Sequence, residues 1–477
     1  MTVKIYRFIL NLLVCLVIIF MNFIKTQDFN DNFLLTKNTE LINYNTTIRS
    51  STTSSNIRNI KINYNNIFFI NSNLSNTENM NGLFFPKGHG VYTSISFLLH
   101  NKYLSLSAIP TNSVIKSYSI NSLPPENNHF SMLGGAQTNT NNFYLLNTGA
   151  KINYKGLIVG YGNWNTWIGP ANHNSIILSN NAQGFYHYLV ELDNYKSISK
   201  NLDFKFKYIV SSKFANNLSS NYYNSIINLE FKYKLVKIGY SKGILSGGYP
   251  DIPWSGIDAS RVLIDGKNEK YWDVLKHLYT TLSFPESQLE FFLELGFPNR
   301  DFTQNSSIIF YDHNMITNLG FVKTNIFGHK NIFIGMEYFR GLNSLYYNTL
   351  PSVNIYDNHK YNDYSFKGRI WSAHSGPDSD DFLFTIGLNK SNFDIKYQFN
   401  YERHGVTYSF PPEVKFENRF NLSLKRGNMR ISTYYESEKY EHYGFVDSNI
   451  NVWNETYEKG SIQRTKTLIF SISYRIL

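Results

Sequence analysis

Two short segments carry residues whose types and spacing suit sugar or ion chemistry. The first runs Gly162-Asn163-Trp164-Asn165-Thr166-Trp167-Ile168-Gly169-Pro170 and continues through Ile177-Leu178-Ser179-Asn180-Asn181-Ala182. Trp164 and Trp167 can stack on the C–H face of a sugar while Asn165 hydrogen-bonds its hydroxyls. The same residues would also suit a structural turn beside an interfacial aromatic pair. The second segment is Gly368-Arg369-Ile370-Trp371-Ser372-Ala373-His374-Ser375-Gly376-Pro377-Asp378-Ser379-Asp380-Asp381. Arg369, Trp371 and His374 join the candidate glycan contacts. The three carboxylates could hold calcium through oxygen, but the Gly and distal Glu of a dedicated calcium loop are missing. His374 beside Ser375 could suggest a base with its nucleophile, yet adjacent side chains seldom face each other and no oxyanion site is visible. The plainer reading is a loop folded into a lumen, stabilised by Arg369 against Asp378, Asp380 or Asp381. Neither segment points to catalysis, a metal or a cofactor.

The elements that must carry these segments are legible in the C-terminus. From Thr467, Leu468, Phe470, Ile472, Tyr474 and Ile476 alternate with Ser471, Ser473 and Arg475. Period 2 means a strand with two different environments. Leu202, Phe204, Phe206, Tyr208 and Val210 oppose Asp203, Lys205 and Lys207 in the same way, and Phe393, Ile395, Tyr397, Phe399 and Tyr401 oppose Asp394, Lys396, Gln398 and Asn400. Gly, Asn and Ser mark tight hairpin turns at 328–331, 389–392 and 425–428. Long irregular stretches separate the hairpins: about 163–185, 211–223, 243–275, 297–316, 341–381, 403–417 and 437–463. Every tight turn falls on one side and every long stretch on the other. That parity holds over fifteen candidate strands from about Phe143. With room in 91–128, it predicts an all-β, antiparallel transmembrane barrel of about 18 strands with long extracellular loops.

Composition agrees. Charged residues are only 17% of the chain, and aromatics number 37 Phe, 36 Tyr and 6 Trp. Mean hydropathy is −0.31, because a barrel alternates and never concentrates its apolar residues. The net charge of +10 comes from lysines that mostly alternate with aromatics inside strands. They read as lumen-facing and not as a nucleic-acid surface, so they would favour an anionic solute or glycan. Lys4 and Arg7 precede an apolar run from Phe8 to Phe23, as in a secretory signal peptide. Cleavage after Thr26 removes Cys15, the only cysteine. The expected organisation is a signal peptide over 1–26, an Asn-rich N-terminal segment over 27–90, and the barrel over 91–477.

The two segments also resemble a family, the Wzi-type capsule assembly proteins of the Gram-negative outer membrane. The resemblance rests first on Gly-Asn-Trp-x-x-Trp-x-Gly-Pro followed by Asn174-Ser175-Ile176-Ile177-Leu178-Ser179-Asn180-Asn181-Ala182. It rests second on the Gly-Arg-Ile stretch leading to Gly-Pro-Asp-Ser-Asp, and it spans about Tyr144 to Leu477. It implies an outer-membrane barrel of about 18 strands that binds capsular polysaccharide as a surface lectin, without catalysis. The resulting expectation is a monomeric, non-enzymatic barrel in the outer membrane of a Gram-negative bacterium. Its partners would be capsular or exopolysaccharide and outer-membrane lipid, with no nucleic acid. The alternative is a diffusion channel with an anion-favouring lumen. The glycan-binding candidates are Trp164, Asn165, Trp167, Arg369, Trp371 and His374. Asp378, Asp380 and Asp381 are expected to stabilise the loop.

Overall fold

The computed structural model describes residues 59–75, 78–118, 140–215, 220–298, 315–341, 356, 364–366, 369–406, 412–443 and 462–477. The barrel lies wholly within Asn38–Leu477. The expected signal peptide and the first part of the Asn-rich segment lie outside the described residues.

Eighteen long strands follow one another in chain order. They are β1 (Asn59–Asn71), β2 (Gly88–His100), β3 (Leu104–Ser117), β4 (Thr140–Tyr154), β5 (Leu157–Gly162) and β6 (His187–Leu192). Next come β7 (Leu202–Ser211), β8 (Asn221–Tyr233), β9 (Val236–Gly247), β10 (Asp273–Phe284), β11 (Leu289–Pro298) and β12 (Ile316–Ile326). The last are β13 (His329–Arg340), β14 (Ser379–Asn389), β15 (Phe393–His404), β16 (Glu413–Arg426), β17 (Met429–Glu441) and β18 (Gln463–Arg475). Each pairs antiparallel with its chain neighbours, and β1 pairs with β18 to close the sheet. Closure leaves no open edge, so every wall segment can satisfy its backbone within the sheet, as hydrocarbon requires.

The alternation read from the sequence sets the two faces. Leu468, Phe470, Tyr474 and Ile476 are exposed on the outside of β18, while Thr465, Thr467 and Ile469 are buried inside. Phe97, Ile152, Val159, Ile238, Leu278, Phe291 and Leu319 continue the outer apolar belt. A belt of this size would be costly in water and suits lipid. The connections obey the expected parity. Short turns such as Lys155-Gly156, Lys234-Leu235 and Phe327-Gly328 gather on one rim with the end of β18, and the long connections gather on the other.

The barrel begins at Asn59 and not near Val91, which corrects the expected boundary. β1 escaped notice because its inner face is largely asparagine. Those amides bond across the sheet: Asn63 donates to Ser96 at 3.3 Å and Asn65 to Ser94 at 3.3 Å, while Ser473 donates to Asn65 at 2.7 Å. Ile60, Tyr64, Phe68 and Ile70 supply the outer face. What looked like a loose polar tract is a lumen-facing strand.

One helix, α1 (Gly256–Asp265), interrupts the long 248–272 connection. Ser255 and Asp258 form a reciprocal capping box, and Gly266 ends the helix at φ 62°. Its inner side, Ala259 and Val262, packs on the wall; Ser225 of β8 donates to Ala259 O at 2.8 Å. Ser225 shares the outward phase of Phe231 and Tyr233, so α1 lies against the outside of the barrel.

Candidate functional site

Three long-rim segments enter the barrel and fill it as one plug: 72–87, 163–186 and the described part of 341–378. Their side chains meet lumen-facing residues of the wall. Trp164, Ile168, Ile176, Ile177, Leu178, Phe185, Ile370 and Trp371 pack with Leu189, Ile209, Tyr222, Ile226, Leu245, Leu275, Ile316 and Phe339. A second cluster joins Met80, Leu83 and Phe85 to Ile67, Phe69, Tyr92, Ile109 and Ile469. The segments are also tied to one another. Ser179 N donates to Trp371 O at 2.7 Å, Asn181 Nδ2 to Ile370 O at 3.1 Å, and Asn81 N to Asn180 O at 2.8 Å. The motif resembling capsule assembly proteins is therefore largely the core of a plug.

Two wall carboxylates seat the 163–186 segment. Glu337 of β13 accepts the backbone N–H groups of Asn172 at 2.8 Å, His173 at 3.0 Å and Asn174 at 2.7 Å. Asp381 of β14 accepts from Asn174 Nδ2 at 2.7 Å. Asn318 of β12 closes the arrangement, donating to Asn174 O at 2.6 Å and to Glu294 at 3.0 Å. Charge-assisted bonds of this kind are about twice as strong as neutral ones and give a loop one register.

Beside them lies a buried ionic network. Lys415 and Arg419 of β16 both contact Glu78 from the first plug segment, and both contact Glu417. Lys415 also reaches Glu402 at 3.3 Å and Glu438 at 3.6 Å, and Arg419 reaches Glu436 at 2.9 Å. His404 bridges Glu402 and Glu413, each at 2.9 Å. His374 Nε2 lies 3.5 Å from Glu78, 3.4 Å from Asp381 and 4.0 Å from Glu402. His173 Nε2 lies 3.2 Å from Asp381. Burial opposes the charge on Glu78, but Lys415, His374 and Arg419 outweigh it and hold its carboxyl well below the usual range. Burial pushes His173 down to about 4, against the pull of Asp381, so this imidazole is neutral. His374 is raised: burial acts against its charge, and Glu78, Asp381 and Glu402 prevail. This acid-rich centre stands beside the lysines on which the expectation of an anion-favouring lumen rests. The lysines noticed in the sequence are only one sector; Lys151 and Lys207, for instance, share Glu191 at 3.0 and 3.2 Å.

The sequence candidates now have places. Trp164 is 4% exposed and Trp371 2%. Trp164 rests on Gly149, Gly160 and Gly162; a Cβ at Gly149 would lie 2.4 Å from its ring. Lys151 covers it at 4.7 Å, and its Nε1 donates to Ser107 at 2.9 Å. Trp371 is walled by Phe185, Phe214 and Tyr364, with ring centroids 5.3 to 5.4 Å away. Neither ring has a face left for a sugar, which overturns the expectation of open aromatics here. Arg369 is buried over the Phe84 ring at 5.4 Å, and His374 is in the ionic network. Asn165 and Trp167 are half-buried, and Asn165 donates to Asn81 at 2.8 Å. Asp380 pairs with Arg403 of β15, whose Nε donates at 2.8 Å, and Asp381 anchors the plug as described. Asp378, at φ 49°, donates its N–H to Gly341 O at 2.9 Å.

Open aromatics occur elsewhere on the long-loop rim. Tyr249 is 38% and Tyr271 44% exposed, in the 248–272 connection. Half-buried Trp254 packs against buried Trp272, ring centroids 4.6 Å apart and planes tilted by 51°, with Tyr249 5.9 Å from Trp272. Polar groups ring the shelf. Lys267 stands over Trp254 at 5.7 Å and pairs with Asp258 at 3.4 Å, while Asp251 and Ser255 are exposed. Sequence reasoning passed over Trp254 and Trp272 because no motif surrounds them.

A scan against protein-family models finds no match, and neither does a search of curated proteins. Among solved structures the chain is similar to Wzi of Escherichia coli. That protein is described as a carbohydrate-binding outer-membrane β-barrel involved in group 1 capsule assembly. The TM-score is 0.58 at 9% identity, over 86% of this chain and 83% of that one. OccAB4 of Acinetobacter baumannii and OpdQ of Pseudomonas aeruginosa match at TM-score 0.48 and 10% identity over 88% of this chain, covering 99% and 98% of theirs. At such identities the likeness is one of fold: the chain has the fold of Gram-negative outer-membrane β-barrels.

Proposed function

We propose that this protein is a non-enzymatic outer-membrane barrel that binds capsular polysaccharide at its long-loop rim and supports attachment of the polymer to the cell. The observation that carries this reading is the shelf of exposed Tyr249 and Tyr271 with half-buried Trp254, beside a lumen filled by a packed plug. Aromatic faces stack on sugar C–H surfaces, and Lys267, Asp251 and Ser255 are placed to bond hydroxyl or acidic groups. Weak contacts repeated along a polymer, and over many barrels, sum to firm retention. Two further facts support it: the described plug segments pack as a core against the lumen wall, and the Wzi barrel, similar in fold, binds carbohydrate. The glycan contact moves from the buried Trp164 and Trp371 to the shelf, while half-buried Asn165 and Trp167 stay candidates.

The test separates synthesis from retention. In cells lacking the protein, total surface polysaccharide should be normal while the cell-bound fraction falls and the shed fraction rises. An unchanged division between bound and shed polymer would end this reading.

A further inference from the structure

We infer that His173, His374 and Asp381, with Glu78 beside His374, form a binding site for a divalent transition-metal cation, zinc being the ion that fits. The inference stands apart from the glycan reading and runs against the expectation of no metal.

Geometry comes first. The facing atoms are His173 Nε2, His374 Nε2 and Asp381 Oδ2, and these three lie within 4.8 Å of one another. His173 to Asp381 is 3.2 Å and His374 to Asp381 is 3.4 Å; Glu78 Oε2 lies 3.5 Å from His374 Nε2. Zinc holds nitrogen and oxygen ligands at about 2.0–2.1 Å in a tetrahedron, so neighbouring ligand atoms are about 3.3 Å apart. The two separations to Asp381 fit that edge, and Glu78, close to His374, is the nearest further carboxylate. Two imidazoles with carboxylates suit zinc and similar ions; calcium and magnesium prefer oxygen alone.

The second observation concerns His374. Its side chain is 1% exposed, and its Nε2 faces three carboxylates at 3.4 to 4.0 Å without a well-formed hydrogen bond to any of them. A buried nitrogen aimed at a ring of carboxylates without a bond is costly to leave so. A cation at the centre would satisfy it. Charge gives a third argument. Seven connected carboxylates, Glu78, Asp381, Glu402, Glu413, Glu417, Glu436 and Glu438, share two permanent cations, Lys415 and Arg419, and three histidines. A divalent ion offsets part of that surplus.

The surroundings orient the ligands as an outer shell does. Asn400 donates to one oxygen of Asp381 and Asn174 to the other. Lys415 and Arg419 fix Glu78, and Asn79 Nδ2 donates to the His173 carbonyl at 2.9 Å. Asn400 Nδ2, 3.3 Å from His173 Nε2, is the donor the ion would displace. The three ligands come from two plug segments and from β14 of the wall, and Glu78 stands beside them from the third segment. The ion would therefore pin the plug to the barrel.

The test uses the full chain in detergent, stripped with a chelator, supplied with excess zinc and freed of unbound metal. Elemental analysis should find about one zinc per chain, bound in a four-coordinate site. The thermal transition should fall on chelation and recover with zinc. His173→Ala and His374→Ala should each retain at least tenfold less zinc. If either variant fails to insert, X-ray absorption on the wild-type protein decides, since two imidazoles give distinct outer-shell scattering. Substoichiometric zinc in the wild type, an absorption shell without imidazole, or a folded His374→Ala that keeps its zinc would each overturn the proposal.

Discussion

Two tryptophan-bearing regions have opposite fates. In the plug, Trp164 and Trp371 are sealed by glycines, a lysine and aromatic neighbours. On the rim, Trp254 packs on Trp272 while Tyr249 and Tyr271 stay open. The difference is in how each loop is held. The 163–186 segment is drawn inward because Glu337 and Asp381 accept its backbone and amide N–H groups inside the barrel. The 248–272 connection is held outside by a self-capped helix resting on the wall. Aromatic content alone does not say which loop meets a ligand; the partners of the loop backbone do.

That contrast can be broken from either side. The largest effect is expected inside. Trp371→Ala removes a ring packed on three aromatics and should cost about 3–5 kcal/mol of stability, read as a lower thermal or denaturant midpoint in detergent. A variant as stable as the wild type would mean that the plug is loosely held. Glu337→Gln comes next. It keeps the shape but turns an NH2 toward backbone donors, so a loss of about 2–3 kcal/mol is expected in the same assay. Shortening the 341–378 connection to a tight turn should raise single-channel conductance in planar bilayers; unchanged conductance would show that the remaining segments close the lumen without it. The smallest stability effect belongs to the rim. Tyr249→Ala with Tyr271→Ala should change stability by no more than about 0.5 kcal/mol per site. A large loss there would make the shelf structural and erase the contrast.

Much of the barrel was legible because the membrane imposes period 2 on every wall strand. Strands β4 to β18 and the parity of their turns follow from that pattern and from Gly, Asn and Ser at the hairpins. β1 was missed where asparagines occupy lumen positions that apolar residues hold elsewhere. The two loop segments stood out by motif, and the expectation of a loop folded into the lumen covered 341–381; that 72–87 and 163–186 join it was not legible. Which residues it buries was not legible. Glu78 sits in a polar tract with no local signal, and its partners Lys415 and Arg419 are hundreds of residues away. The alternation Glu413, Lys415, Glu417, Arg419 did mark a charged inner face, but its acidic surplus appears only when β15, β16 and β17 stand side by side.

The central claim is that polysaccharide is held at the rim shelf while the plug serves structure. The most direct measurement is the affinity of the detergent-solubilised protein for surface polysaccharide purified from the producing cells. The wild type would be compared with the Tyr249→Ala, Tyr271→Ala double variant, each checked for a folded barrel by its mobility on unheated gels. At about 1 kcal/mol per aromatic contact, the double variant should bind at least roughly tenfold more weakly. A folded double variant that binds with wild-type affinity would contradict the account.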